Sequence, residues 1–498
     1  MGRGDLVGLL ERVPFRFLVN YHSVAQLILY GLGWQVETVS ADTPIHAALA
    51  GTPAEPAIPG FVPELSARLY TTNGETCDYA ISVAHVTCFT PELSDGGSGG
   101  GFVFPDDEAL VQAEFVKNLP FAMDIATSAA DPAHPVSHLG NTVAPFYVDA
   151  FTTSYGDPQP VQVNAARYLG DVTLHYRIAG GAEQTASTAE WDGGERYGDA
   201  GDIHYHRVRG TVTGAKPGDS VEVWFTAGDV TSTAFTYTLA SDTTARVLVV
   251  AAEDYTGAFP THAKAAGPSH LAAHIDALAA NGIAADAYDI DARGRVAPHP
   301  LGILGHYDAV LWYTGDDIAT AAPGMAGGTV SRLANDTVLA MRDYVNEGGK
   351  LLYAGQYAGS QYAAGYVFDP ESDVPCGPDH PEANCVPLSN DFLQYYLGAY
   401  TYAGLARPGY TFPNRAGDGT GGGLWSGTGD VVEHSVWRDF DLAAMQAPVV
   451  FAFDADWDLE TDWDNGYVEA STDGGSTWTV LPEMDGRCLL YTSPSPRD

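Results

Sequence analysis

Apolar residues in the first part of the chain occur in short runs and in one long periodic stretch. The runs at 15–22 and 25–34 have the length and composition of buried strands. The stretch 110–125 repeats apolar residues at helical spacing after a Pro-Asp start signal, so it predicts one long amphipathic helix that Pro120 should kink. We therefore expect residues 1–130 to form an α/β domain.

A different pattern follows the linker at 131–143. Between 144 and 241, apolar and polar residues alternate in short segments such as VTLHYRI, SVEVWFTA and AFTYTL, and GG, PGD and GD turns separate them. Alternation with a period of two is typical of antiparallel strands that bury one face. Residues 144–241 therefore predict a β-sandwich of immunoglobulin or fibronectin type.

The pattern changes again at 245, where continuous apolar strands alternate with helices. Strands separated by helices pair in parallel, so residues 245–400 predict a doubly wound α/β domain. After a glycine-rich linker at 416–429, residues 431–486 predict the strands of a truncated β-sandwich or jelly roll. The fold class expected for the whole chain is multidomain, with α/β and all-β parts.

The charge composition of the chain limits the classes of molecule that we expect it to bind. The chain has 498 residues, with 23 Lys plus Arg against 63 Asp plus Glu, for a formal net charge of −40. Such a surface repels nucleic acids and anionic membranes, so we expect neither as a partner. The segment 1–15 lacks the organisation of a signal peptide, and we expect a secreted, extracellular protein whose signal peptide is not part of this sequence.

Cysteine positions predict one disulfide and leave a second open. Cys376 and Cys385 bracket a loop that contains Pro and Gly, and their pairing would close a small hairpin. Cys77 and Cys88 are either a disulfide or two buried thiols.

The last eleven residues, CLLYTSPSPRD, differ in composition from everything before them. They match the read-through translation of a sequencing adapter. We therefore expect residues 488–498 to be an artefact of sequence assembly, which removes Cys488 from the count of genuine cysteines and leaves the β-rich region cut short.

Three separate segments carry candidate chemistry: NYHSVAQLILYGLGW with His22, YTTNGETCDYA with Tyr70, and FTPEL with Glu92. Each of these residues alone is typical of an ordinary core or solvated position. In this order and at these separations, the segments resemble the C-terminal half of the zinc carboxypeptidases of the carboxypeptidase A family. The resemblance covers about residues 8–128 and implies that 1–130 is the C-terminal part of a mixed-sheet peptidase domain.

The resemblance implies a role for each of five residues. His22 would be one of three zinc ligands, and Ser23 would line the peptide site. Tyr70 would close over the bound peptide or protein substrate, and Glu92 would act as general base toward the zinc-bound water. Cys77 would form the floor of the specificity pocket. A small floor without a carboxylate favours an apolar C-terminal side chain, although a disulfide at Cys77 would alter that pocket.

Other parts of the family pattern have no counterpart here. The first two zinc ligands of the family lie in an upstream His-x-x-Glu motif, and the substrate-binding arginines also lie upstream. Because one ligand cannot hold catalytic zinc, we expect an incomplete zinc site and an inactive fragment of a secreted metallocarboxypeptidase. The alternative is a non-catalytic extracellular binding or adhesion protein that carries a degenerate peptidase half.

The later domains suggest accessory roles. Residues 245–400 resemble class I glutamine amidotransferase-like folds, but Gln356 or Tyr357 stands where such enzymes have a nucleophilic Cys, so we expect no amidase chemistry. The acidic segment 454–466 is either a calcium site or a solvated loop.

Overall fold

The structure is a computed structural model in which most residues up to 388 can be described. The described residues are 3–34, 39–72, 74–94, 107–191, 202–256, 265–315, 330–355, 358–359, 367–377, 379–388, 392, 396–397, 442 and short pieces between 466 and 491. The chain divides into two units, Met1–Val432 and Glu433–Asp498. The described residues form a mixed α/β protein with strands in several sheets.

The first region of the larger unit combines helices with a mixed sheet. Its helices are α1 (Arg3–Arg12), α2 (Thr43–Ala50), α3 (Ser66–Leu69), α4 (Thr76–Ser82) and α5 (Glu108–Ser128). Its strands are β1 (Phe17–Val19), β2 (His22–Ser23), β3 (Leu27–Tyr30), β4 (Gly51–Thr52), β5 (Glu55–Pro56), β6 (Val62–Leu65) and β7 (Thr87–Leu93). The main sheet has the order β1-β7-β3-β6, and β2 also pairs with β7. β1 and β2 run parallel to β7, whereas β3 runs antiparallel to it, so the sheet is mixed.

Two expectations for this region need correction. The predicted strand at 15–22 is split into β1 and β2, and four helices accompany the single helix expected. The long helix exists as α5 and continues through Pro120, but of its predicted apolar face only Ile125 is buried. Side chains such as Asn118 and Asp124 are buried instead; the Asn118 amide donates to the Glu114 carbonyl, and the Asp124 carboxylate accepts the N–H of His138.

The second region consists of two sheets. Its strands are β8 (Phe146–Asp149), β9 (Thr153–Ser154), β10 (Gln159–Ala166), β11 (Thr173–Ile178), β12 (Gln184–Ser187), β13 (Ala189–Glu190), β14 (Tyr205–Val212), β15 (Ser220–Ala227), β16 (Val230–Thr231) and β17 (Phe235–Leu239), with a 3-10 turn at Arg167–Leu169. One sheet has the order β13-β14-β10-β8 and the other β12-β11-β15-β17-β9, with β16 beside β15. Alternate residues of β10 and β15 are buried, as the sequence pattern predicts, and both strands contribute to one shared core.

The third region has a parallel sheet between helices. Its elements are β18 (Val247–Ala251), α6 (Leu271–Ala280), β19 (Ala285–Asp289), a 3-10 turn (Leu304–His306), β20 (Ala309–Tyr313), α7 (Arg332–Asn346), β21 (Lys350–Ala354), and the short strands β22 (Val367–Phe368) and β23 (Val386–Pro387). The four longer strands run parallel in the order β19-β18-β20-β21. Leu248 and Val250 pack in the same core as α7, whereas Val249 and Ala251 pack against α6, so the two helices cover opposite faces.

The smaller unit is described only at four short strands. They are β24 (Gly466–Tyr467), β25 (Glu469–Ala470), β26 (Thr479–Val480) and β27 (Leu490–Tyr491). β24 pairs with β27 and β25 with β26, both antiparallel. The acidic segment 454–466 lies outside the described residues except for Gly466, and so does the expected artefact 488–498 except for β27. The linker 416–429, Gln356 and Tyr357 lie outside them entirely.

The first and second regions share a buried set of hydrogen bonds. The Asp42 carboxylate, 1% exposed, accepts hydrogen bonds from three consecutive backbone N–H groups, those of Ile203, His204 and Tyr205, at 2.6–2.9 Å. The ring of Tyr205 enters the same core as Phe89 of β7. Backbone amides that donate to a buried carboxylate form strong hydrogen bonds. This contact therefore joins the two sheets of the second region to the mixed sheet of the first.

Both candidate cysteine pairs are disulfides. Cys376 is bonded to Cys385, as predicted, and the open alternative at Cys77 is resolved because it is bonded to Cys88. No helix in the described part of the chain combines the length and the apolar character that crossing a membrane requires.

Replacement of Asp42 should destabilise the protein. Asp42→Asn removes the charge and turns an N–H donor toward the amides of 203–205, so we expect the free energy of unfolding to fall by about 2–4 kcal/mol in urea titrations followed by circular dichroism. Asp229→Asn, at an exposed position, is the control and should leave the transition unchanged. An Asp42→Asn midpoint equal to that of the original chain would contradict the role given to this carboxylate.

Thiol titration provides a direct test of the disulfides. The chain has five cysteines, of which four are paired. We expect one thiol per chain to react in denaturant without reductant, and five after reduction. Three reactive thiols before reduction would show that one of the two pairs is not bonded.

Candidate functional site

The central strand β7 positions the predicted general base. Successive side chains of a strand point to opposite faces, so Cys88, Thr90 and Glu92 share one face of β7. Its neighbour β2 runs parallel with His22 directly opposite Glu92. The Nδ1 atom of His22 lies 3.2 Å from Oε1 of Glu92. The structure therefore brings together the predicted ligand and the predicted base, although they are far apart in the sequence.

Exposure differs between the two partners. The His22 side chain is 64% exposed and that of Glu92 only 10%. A mostly buried carboxylate beside an open imidazole can accept a proton from a water molecule or another small donor at the edge of the sheet. The pair therefore lies at the edge of the sheet, with the imidazole open to solvent and the carboxylate largely covered.

Ser23 and Tyr70 lie at the periphery of the His22–Glu92 pair. Ser23 pairs with Leu93 and lines a mostly apolar cleft of about 480 Å³ beside α5. The exposed apolar residues of α5, such as Phe115, line the same cleft. Tyr70 directly follows α3 with its side chain turned to solvent. In the described part of the chain, no hydrogen bond joins Tyr70 to His22 or Glu92.

Cys77 lies close to the same face of β7. It is 1% exposed, it is bonded to Cys88, and its Sγ atom lies 3.3 Å from Oγ1 of Thr90. Thr90 precedes Glu92 by two residues on that face. The disulfide therefore attaches α4 to the strand that carries the predicted base.

One charged residue near this face was missed by the sequence reasoning. Glu75 is partly buried, and Thr72 donates a hydrogen bond to its Oε1 atom at 2.9 Å. It occupies the N-cap position of α4, yet its side chain makes no capping bond. Burial raises the pKa of Glu75, the charge of Glu92 raises it further, and the bond from Thr72 and the proximity of His22 lower it. Glu75 therefore belongs to the same electrostatic group as the predicted ligand and base.

Gly33 provides the space for Glu75. A Cβ atom added at Gly33 would lie 1.4 Å from Oε1 of Glu75 and 2.6 Å from Oγ1 of Thr72. The backbone of Gly33 also holds this segment, because its N–H donates to Asp78 and its carbonyl accepts the N–H of Thr72, each at 2.8 Å. The sign of this arrangement in the sequence is Gly33 itself, which follows YGL. Its role could not be inferred from the sequence, because the contact is with Glu75, far along the chain.

Asp78 is a second buried carboxylate in this segment. Burial raises the pKa of Asp78 to about 7, although the N–H of Gly33 lowers it, and the nearby charge of Glu75 raises it again. Asp78 therefore gains a proton, and loses its negative charge, as the pH falls through about 7.

The described residues do not by themselves fit a catalytic zinc site. Such a site needs three protein ligands, and no group of three or more His, Cys, Asp or Glu side chains in the described ranges is arranged to hold a metal ion. His22 is the one predicted ligand, and its Nδ1 atom contacts Glu92. No chemical step can therefore be derived through a metal from the described residues.

A separate acidic residue at the parallel sheet has a structural explanation. Glu253 follows β18, and its buried carboxylate accepts the N–H groups of Ser269 and His270 at 2.7 and 2.9 Å. These groups lie at the start of α6, where backbone N–H groups lack partners within the helix. Glu253 therefore anchors the helix.

Comparisons with known proteins do not identify a family. No protein-family model matches the chain, and a search of curated proteins finds no significant match.

A double-mutant cycle should reveal the contact between Gly33 and Glu75. Gly33→Ala places a methyl group on the Glu75 carboxylate and should lower the free energy of unfolding by about 2 kcal/mol. Glu75→Ala removes the nearer obstruction and leaves only the Thr72 hydroxyl. The two changes together should therefore cost less than the sum of the single changes, by about 1 kcal/mol or more.

Urea unfolding of the four proteins measures this coupling. Gly267→Ala is the control, since an added Cβ there meets no atom within 4 Å, and it should show no coupling to Glu75→Ala. Strictly additive effects of Gly33→Ala and Glu75→Ala would exclude the contact.

Proposed function

We propose that residues 1–130 are the C-terminal part of a zinc carboxypeptidase domain of the carboxypeptidase A type, within a secreted multidomain protein. The observation that carries this proposal is the placement of His22 beside Glu92 at 3.2 Å on adjacent parallel strands. The mixed sheet and the family-like segments around Ser23 and Tyr70 support it.

In this proposal, Glu92, Ser23 and Tyr70 each have a separate role. Glu92 accepts the proton of the attacking water and passes it to the leaving amine, and its burial keeps it from being solvated while it does so. Ser23 lines the peptide site from the edge strand. Tyr70, which is exposed and follows a short helix, closes over the bound peptide and excludes water.

We further propose that the chain as given is inactive. His22 supplies one ligand, and a single imidazole contributes too little of the chelate free energy to retain zinc. The remaining ligands and the arginines that bind the substrate carboxylate would come from a segment that this sequence does not contain.

The other regions would be accessory modules. The paired sheets at 144–241 would be an immunoglobulin- or fibronectin-type sandwich, and 245–400 a non-catalytic, amidotransferase-like doubly wound domain. Residues 431–486 would be a β-sandwich or jelly roll, with calcium as an open alternative at 454–466. The two disulfides and the charge of −40 are compatible with an extracellular location and a peptide or protein substrate, and with no nucleic-acid or membrane partner.

Metal analysis and peptide hydrolysis test the proposal. We expect purified 1–498 to retain well under one zinc per chain after dialysis, and to leave N-blocked dipeptides ending in Phe or Arg intact. We expect the reading frame upstream of Met1 to encode a His-x-x-Glu motif and two arginine motifs. An open upstream frame without the motif would favour the non-catalytic binding protein, and stoichiometric zinc with turnover by 1–498 would overturn the proposed inactivity.

The role of Glu92 can be tested in the chain extended to include that upstream segment. Glu92→Gln should lower kcat/KM by a factor of about 1,000 or more while the zinc content stays the same, because the change removes a proton acceptor and no metal ligand. Glu55→Gln, at an exposed position of β5 in the same region, should leave both quantities unchanged. Retention of full activity by Glu92→Gln would remove Glu92 from the reaction.

A further inference from the structure

The long helix α5 presents large apolar side chains to solvent. Its buried residues, among them Phe121 and Ile125, face the core. Five apolar side chains on the other side of the helix are between 42% and 64% exposed, and together they are called the outer stripe: Val111, Phe115, Val116, Leu119 and Met123. A contiguous apolar patch of this kind on a protein surface marks an interaction site.

The spacing of these residues forms a ridge. Val111, Phe115, Leu119 and Met123 follow one another at intervals of four residues, which places them in one row along the helix. Two helices that each carry such a row interdigitate at a crossing angle of about 50°, the commonest helix packing in globular proteins. Because this packing requires the same kind of row on both helices, a second copy of α5 is a complementary partner.

The apolar cleft that begins at Ser23 supplies a hollow next to the ridge. Val111, Phe115 and Leu119 belong to the ridge and also line this cleft of about 480 Å³. In a two-fold symmetric contact each copy offers the same surface, so each must supply both the protruding side chains and the space that receives them. The surface of α5 meets this requirement, since the cleft can receive a side chain from the ridge of a second copy.

Charges on α5 do not oppose this contact. The outer stripe consists of uncharged residues, and Glu114 is paired with Lys117 at 2.9 Å within the same copy. Glu108, at the start of α5, lies about 13 Å along the helix from the middle of the ridge, where two crossing helices have already diverged. The net charge of −40 repels a second copy at long range, so a contact between copies has to be made by an uncharged surface such as this one.

The area of the outer stripe sets the strength of such a contact. Five large side chains that are each about half exposed offer on the order of 400 Å² per copy. Two stripes would bury about 800 Å², and the walls of the two clefts add to this, which brings the total close to the roughly 1,000 Å² that a specific interface needs. This area corresponds to a weak and reversible dimer.

We propose that the chain forms a two-fold symmetric dimer in which the outer stripes of two α5 helices pack against each other. The proposal goes beyond the peptidase assignment and does not depend on it, because it uses the exposure, spacing and charge of α5 alone.

Sedimentation velocity of the full chain tests the proposal. Between about 1 and 200 μM we expect a monomer–dimer equilibrium with a dissociation constant in the micromolar range. Addition of salt should strengthen the association, because screening weakens the repulsion between two strongly negative copies. A chain that stays monomeric at every concentration, or a dimer that salt weakens, would contradict a contact through the uncharged stripe.

Variants with one added charge locate the contact. Phe115→Glu places a carboxylate in the middle of the ridge and should weaken the dimer about a hundredfold or more. Val111→Glu adds the charge in the first turn of α5, where it suits the helix dipole, and provides a second test if Phe115→Glu does not fold. Val296→Glu, at a position of similar exposure in the third region, is the control and should leave the dissociation constant unchanged. A dimer of unchanged strength in both stripe variants would exclude the outer stripe as the interface.

The fluorescent dye anilinonaphthalenesulfonate, which binds exposed apolar surface, distinguishes the other possible occupants of the stripe. We expect its fluorescence to fall as the dimer forms with increasing protein concentration, and to fall less in Phe115→Glu. A monomer that binds the dye would leave the stripe for a different protein, and a monomer that does not bind it would have the stripe covered by another part of the same chain. Either result would overturn the proposed dimer.

Discussion

The strand β7 determines the geometry of the candidate site. It is hydrogen-bonded on both sides, to β1 and β2 along one edge and to β3 along the other, and six of its seven residues are buried. Because it cannot shift its register without breaking both ladders, the face that carries Cys88, Thr90 and Glu92 is held in place. The disulfide to Cys77 extends that rigidity to α4. A mobile surface loop could not maintain a carboxylate beside an imidazole in this way.

The electrostatic interactions around β7 depend more on the burial of individual carboxylates than on the net charge of the chain. A net charge of −40 is spread over the surface and is screened by salt within about 8 Å at physiological ionic strength. The carboxylates of Glu75, Asp78 and Glu92 are at least partly withdrawn from solvent, so their mutual repulsion is screened much less. Burial raises the pKa of Glu75 and of Asp78, and the neighbouring carboxylate raises each of them further.

Sequence patterns predicted the layers better than the contacts between them. Alternation in β10 and β15 correctly indicated paired sheets with one buried face, and the succession of strands and helices after 245 indicated parallel pairing. The buried face of α5 was not predictable from apolar spacing, because the buried residues include the polar Asn118 and Asp124, which bond to Glu114 one turn earlier and to His138 in the following loop. His22 and Glu92 came from the family resemblance, and their adjacency depends on strand register. Glu75 was missed because its position depends on the absence of a side chain at Gly33.

The hydrogen bonds between Asp42 and residues 203–205 have a consequence for the history of the protein. A module that is attached only by a linker can be exchanged, lost or duplicated without harm to its neighbour. Here the mixed sheet supplies the acceptor and the paired sheets supply the donors, and Tyr205 completes the core that contains Phe89. Deletion of either region would break the hydrogen bonds of Asp42 and expose the apolar side chains of this shared core to water. The two regions are therefore expected to have been inherited together, as one evolutionary unit rather than as two shuffled domains.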